Sequence, residues 1–322
     1  MYRIATDFCV LILYPPVFPN SLMSSSCFLV AALGMSMYIS CHMQTNQPLS
    51  RNLLSISYTW NLPTLATFAP FLGEMSHLQR LRLSHVHVSA FKKQEHDHVV
   101  HVTSQFRRQG HLWDLHLESP SFLEGCLDQM LRCLKSPLDS LSITKCWLTE
   151  SDLTHLCQSP DISQLKSLDL SGVTMTDFQP ELLQVLLEKV AATMQEMDFD
   201  VCGIMNFQLE AFLPALSRCS QLRSFSLYGN LLSTASMEKL LRHTAVLPCL
   251  SQEHYPAPQE TYRPRGVLLE ARLAQLRAQL LEILRDLGHP RIIWISLSPC
   301  PRCGEAVCHH MEPIIYSCPA PA

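Results

Sequence analysis

The pattern Leu-x2-Leu-x-Leu, or a close apolar variant of it, returns seven times along this chain, and it constrains the fold more than any other feature. Its first residues are Leu78, Leu112, Leu138, Leu165, Met194, Leu222 and Leu247, at intervals of 25 to 34 residues. That period lies in or close to the ~20–29 residues of a leucine-rich repeat. Four consecutive units carry five anchors in one register: Leu138, Leu141, Ile143, Cys146 and Leu148; Leu165, Leu168, Leu170, Val173 and Met175; Met194, Met197, Phe199, Cys202 and Ile204; Leu222, Phe225, Leu227, Asn230 and Leu232. In such a unit alternate residues of a short parallel strand point inward, and the Cys or Asn satisfies backbone groups where the chain turns away.

Helical periodicity fills the spaces between these strands. Pro180 to Gln195 suits a helix with proline in its first turn and Leu183, Leu186, Leu187 and Val190 along one face. Phe207 to Leu216 and Ser236 to Leu247 read the same way. Leu268 to Leu287 is a long amphipathic stretch, closed by Gly288 and Pro290 and followed by an apolar strand, Ile292 to Ile295. The expected fold is therefore α/β: a leucine-rich-repeat solenoid, or horseshoe, with a parallel concave sheet, outer helices and a C-terminal helix–strand cap. The expected boundaries are an atypical, poorly ordered leader over 1–50, the solenoid over 51–258, the cap over 259–298 and a Cys-rich tail over 299–322.

A hydrophobic content of 47% with only 10 glycines supplies a core and excludes a loop-dominated chain. The formal charge of −4 gives no general attraction to nucleic acid or to anionic membrane, so neither is expected as a partner. Of the 14 cysteines, Cys146 and Cys202 fall on the repeat's turn position, and Cys133, Cys157 and Cys219 on or beside helical segments. Reduced packing thiols are the expectation, which places the protein in the cytoplasm or also the nucleus. The leader holds two apolar runs, Cys9 to Tyr14 and Cys27 to Ser40, each too short for the ~20 residues of a membrane span. Arg3 before an apolar stretch is compatible with a secretory signal, but Pro15 and Pro16 interrupt that run early.

From about Leu54 onward, over most of the chain, the sequence resembles the C-terminal part of the PRAME family of leucine-rich-repeat proteins. The stretches that carry this are Thr59-Trp60-Asn61-Leu62-Pro63-Thr64-Leu65, Leu138-Asp139-Ser140-Leu141-Ser142-Ile143-Thr144, Gln158-Ser159-Pro160 with Leu168-Asp169-Leu170-Ser171-Gly172-Val173, Phe199-Asp200-Val201-Cys202-Gly203-Ile204, Tyr228-Gly229-Asn230, and Pro299-Cys300-Pro301-Arg302-Cys303-Gly304. The resemblance implies a substrate-recognition adaptor of a cullin-2 RING ubiquitin ligase, partnered with cullin-2 and elongin. It also implies negative regulation of retinoic acid receptor signalling, transcription, apoptosis and differentiation, and support of proliferation. The family's docking region for elongin and cullin lies N-terminal to the repeats, and residues 1–50 do not match it. A truncated member that binds partners without docking the ligase is therefore a second expectation, and a secreted repeat protein a third.

Candidate sites follow from the same register. Outward strand positions offer Arg80, Arg82 and Ser84, then Asp114, His116 and Glu118, Ser140, Ser142 and Thr144, Ser167, Asp169 and Ser171, Glu196, Asp198 and Asp200, and Ser224, Ser226 and Tyr228. Glu196, Asp198, Asp200 and Tyr228, with Asp169 and His116, are the expected contacts for a protein partner with a basic segment, because a one-sign cluster steers association and tyrosine is a rigid anchor. Leu183-Gln184-Val185-Leu186-Leu187 has the LxxLL form of a receptor-docking helix, through Leu183, Leu186 and Leu187, yet the same spacing serves core packing. Cys300, Cys303, Cys308 and Cys318 include one CxxC knuckle, half of a zinc ribbon, so no metal and no cofactor is expected. His85, His87, His96, His98 and His101 cluster in what reads as a solvated loop. Phosphate-cradling glycine loops, nucleophile elbows and kinase signatures are absent from the sequence, so enzymatic activity is not expected.

Overall fold

The seventh residue after each repeat anchor takes a left-handed backbone conformation, and this single reversal sets where every strand ends. In the computed structural model it falls on His85, Ser119, Lys145, Gly172, Val201 and Gly229, with φ between 52° and 73°. The structure describes residues 27–32, 35–40, 53–87, 96–263, 267–287, 291–296 and 311–316, within two units, Met1–Cys146 and Trp147–Ala322. Val201 is β-branched, so its reversal costs about 1–2 kcal/mol. Its Cγ2 fills the space beside Gly229, where an added Cβ would come within 2.9 Å.

The first unit opens with an antiparallel pair, β1 (Cys27–Ala32) and β2 (Met35–Ser40), inside the segment read as a leader. β2 meets β3 (Leu53–Asn61) antiparallel. The helix α1 (Leu62–Glu74) follows at once, its first turn held by the Asn61 side chain, which accepts the Thr64 N–H at 2.8 Å. Then come β4 (Arg80–His87), α2 (His96–Gln105), β5 (Asp114–Glu118), α3 (Leu127–Leu131) and β6 (Ser140–Thr144). β3 to β6 are parallel neighbours in chain order. Leu81 and Leu83, Leu115 and Leu117, and Leu141 and Ile143 point inward and are buried.

The second unit repeats this plan through α4 (Glu150–Gln158), β7 (Ser167–Asp169), α5 (Pro180–Val190), β8 (Glu196–Asp198), α6 (Asn206–Leu216), β9 (Ser224–Ser226), α7 (Thr234–Thr244) and β10 (Gln252–Pro256). It closes with α8 (Glu270–Leu287), β11 (Arg291–Ser296) and β12 (Met311–Tyr316). β7 to β11 run parallel, and β12 returns antiparallel on β11. Helix starts are set locally: Thr149 and Asp152 form a reciprocal capping box on α4, and the Ser233 hydroxyl accepts the Ser236 N–H on α7. Each unit thus has the strand–turn–helix construction of a leucine-rich-repeat solenoid, with a parallel sheet and one apolar face turned to its helices.

The turn position behaves as its chemistry requires. The buried Asn230 accepts the Ile204 N–H and donates to the carbonyls of Phe199 and Leu227, all at 2.8 Å. One repeat earlier, the Cys202 thiol donates to the Leu170 carbonyl at 3.2 Å. Burial raises that thiol's pKa well above the ordinary range, and it brings Cys157 and Cys219 to about 11, so these three stay protonated and serve packing.

Three expectations are corrected here. Residues 96–105, read as a loop with its histidines, form the helix α2, and this helix occupies the long first interval between anchors. The seventh anchor is Leu250 rather than Leu247: the Ser251 and Gln252 amides both donate to the Arg223 carbonyl, as the Arg223 and Ser224 amides do to Gln195. The cause is Glu253, a carboxyl at an inward strand position, which disguises the repeat. It is fully buried and accepts the Tyr255 hydroxyl at 2.6 Å. Cys300, Cys303, Cys308 and Cys318 lie outside the described residues.

Asn230→Ala leaves one backbone N–H and two carbonyls without partners, so it should lower the unfolding free energy by about 2–3 kcal/mol. Urea denaturation followed by far-UV circular dichroism measures this, and a loss within error would contradict the role assigned to Asn230.

Candidate functional site

A parallel ladder places like positions of successive repeats side by side, about 4.8 Å apart. In the second unit the open face of the sheet therefore carries the row Asp169, Asp198, Ser226, His254 and Trp294, one residue from each of β7 to β11. A second row runs Ser167, Glu196, Ser224, Gln252 and Ile292. An open concavity of about 380 Å³ lies over these strands, lined among others by Asp169, Glu196, Asp198, Asp200, Ser226 and His254.

The carboxylates are tied to one another through hydroxyls. The Ser171 backbone N–H donates to Asp169 Oδ1 at 2.9 Å, and the Ser171 hydroxyl lies 2.6 Å from that oxygen and 2.8 Å from Asp198 Oδ1. One hydroxyl hydrogen serves one of these short contacts well, so the other is best satisfied by a carboxyl proton. Asp198 Oδ1 also accepts the Asp200 N–H at 3.0 Å, and Asp200 Oδ1 accepts the Ser226 hydroxyl at 2.5 Å. Partial burial, reinforced by the neighbouring Asp198, pushes the Asp200 carboxyl up to about 7. Burial also raises Asp198, with the Asp169 charge adding to it. The row thus holds a proton near neutral pH and gains most from a cation placed among its oxygens.

His254 stacks on Trp294, with ring centroids 6.3 Å apart and planes at 15°. Burial holds the imidazole below its ordinary pKa, even though Asp198 and Glu253 act to raise it. The site therefore presents carboxyls at one end and a flat, uncharged pair of rings at the other.

Of the residues singled out in the sequence, Asp169, Glu196, Asp198 and Asp200 come together in this concavity. Tyr228 is half-buried just past β9 and does not line it; its carbonyl accepts the Val201 N–H at 2.7 Å. His116 belongs to β5 in the first unit. Leu183, Leu186 and Leu187 are each 0% exposed, so their side chains are committed to the core and are not offered to a receptor groove. His254 and Trp294 escape the sequence reading because the disguised seventh repeat hides the strand that carries His254. Among the described residues, no group of three or more His, Cys, Asp or Glu is placed to hold a metal ion, and no helix is long and apolar enough to cross a membrane.

Comparison with known proteins agrees with the repeat architecture. The PRAME C-terminal domain matches residues 42–318. Human PRAME family member 12 is 51% identical over 256 residues, covering 79% of this chain and 53% of that protein. Human PRAME family member 8 is 50% identical over 79% of this chain and 54% of its own length, and human PRAME family member 20 is 47% identical over 80% and 55%. The chain spans about half the length of the curated relatives it matches.

The raised Asp200 pKa carries a stability consequence. Between about pH 4 and pH 7 the unfolded chain has released this proton while the folded chain still holds it, so stability falls as pH rises through that window. Asp200→Asn keeps an acceptor for the Ser226 hydroxyl and cannot ionise. It should gain on the wild type by about 2 kcal/mol at pH 8 and by little at pH 4. Urea denaturation across this range tests it, and parallel pH profiles for the two proteins would contradict the assignment.

Proposed function

The chain belongs to the PRAME family, and from that premise we propose that it is a non-enzymatic protein-interaction scaffold whose second unit captures a basic segment of a partner. The observation that carries this reading is the juxtaposition of Asp169, Asp198 and Asp200 along one open face. A lysine or arginine side chain laid over the row would meet several carboxylate oxygens at once. Each charge-assisted hydrogen bond there is worth about 1.5–3 kcal/mol. The cation would also draw the shared proton off, restoring ionised carboxyls. The stacked His254 and Trp294 at the other end supply a flat surface for the apolar part of the same segment.

We extend the proposal to a substrate-recognition adaptor of a cullin-2 RING ubiquitin ligase, acting in the cytoplasm and nucleus on transcription, apoptosis, differentiation and proliferation. Family membership supports this extension. The acidic face supports the capture step alone.

Affinity capture of the full chain from cells, with mass spectrometry of the retained proteins, tests both levels. The wild type should retain a partner whose recovery falls about ten-fold or more in the double variant Asp198→Lys/Asp200→Lys, and falls also in Asp198→Asn/Asp200→Asn. Undiminished recovery with both variants folded would refute the acidic face as the contact. Cullin-2 and elongins among the retained proteins would support the ligase extension, and their absence beside a retained partner would count against it.

A further inference from the structure

The open face of the first unit has a different chemistry, and it stands independently of the acidic row. The strand register sets Ser55, Arg82, His116 and Ser142 side by side on β3, β4, β5 and β6. Their strand neighbours Leu54, Ile56, Leu81, Leu83, Leu115, Leu117, Leu141 and Ile143 are buried, so the four face away from the core. Each can donate a hydrogen bond: two hydroxyls, a guanidinium and an imidazole. Arg82 is exposed, and among the described residues no carboxylate forms an ion pair with it. One row away, the Arg80 guanidinium lies over the Trp113 ring at 4.8 Å, and its buried Nε has no hydrogen-bond partner.

The acidic groups on this face are Asp114 and Glu118. Asp114 stands beside Arg80 in the register, and Glu118 is held by Lys145 at 2.7 Å. Both are thus balanced by neighbouring cations, and Arg82 is left as the open charge of the row.

We propose that this row recognises a phosphorylated serine or threonine side chain on an extended peptide segment of a partner protein. A phosphate carries about 1.5 to 2 negative charges and three acceptor oxygens, which matches a guanidinium fork flanked by further donors. A carboxylate offers two oxygens and one charge, so it fills the row less completely. Charge complementarity selects the occupant, and Arg82 is the residue on which its affinity depends.

The test uses the full chain and two matched peptide libraries, one with a fixed central phosphoserine and the other with serine at that position. The chain should retain the phosphorylated library about ten-fold or more over its counterpart. Arg82→Gln should abolish that preference with circular dichroism unchanged, and Ser55→Asp, which sets a negative charge in the row, should repeat the loss. Arg272→Gln, at an exposed arginine of α8, should leave it intact. Equal retention of the two libraries would overturn the proposal, as would a preference that survives Arg82→Gln or falls equally in Arg272→Gln. Retention on phosphatidylinositol phosphate vesicles without retention of the phosphopeptides would assign the row to a lipid headgroup and overturn it as well.

Discussion

Everything in these two units depends on the parallel ladder between strands whose alternate side chains are apolar. A strand of three to five residues such as β7 or β5 cannot bury its inward leucines alone. The ladder brings the equivalent pair of the next repeat alongside, and full burial of each large apolar side chain contributes about 1.5–3 kcal/mol. The left-handed residue that follows the strand keeps this stacking in register, because it turns every chain segment away at the same point. That reversal is retained even where its occupant is a poor choice, as at Val201. The stacking term outweighs the local strain.

The same ladder decides what the opposite face can do. Once Leu168, Met197 and Phe225 are aligned inward, Asp169, Asp198 and Ser226 must align outward at the strand spacing. Like charges so close repel, and the Ser171 and Ser226 hydroxyls, with the Asp200 N–H, offset only part of that repulsion. The proton held at Asp200 relieves part of what remains. A face assembled in this way is a store of unfavourable electrostatics that a cationic partner can discharge, which is why capture of a basic segment is its natural use.

Much of this was legible in the sequence, for a physical reason. Where inward positions are Leu, Ile, Met or Phe, as from Leu138 to Leu227, the period is visible and the outward residues follow by alternation, so the carboxylate row could be named from spacing alone. Where an inward position is polar, the period disappears: Glu253 hides β10, and with it His254. The pairing of β3 with β4 was missed because only Leu54 and Ile56 mark it before the chain enters α1. The LxxLL motif shows the limit of a short motif, since Leu183, Leu186 and Leu187 satisfy two templates and burial in the second unit's core selects between them. Hydroxyl bridges such as Ser171 between Asp169 and Asp198 are contacts between neighbouring strands, which spacing along one strand does not specify.

The most direct measurement is amide hydrogen exchange of the chain alone and with its captured partner bound. We expect new protection at 196–201 and 224–228, where the open face carries its carboxyls and their hydroxyl partners, with the helices α5 and α6 unchanged. Protection confined to the helices, with those strand segments unaffected, would contradict the acidic face as the surface on which this protein acts.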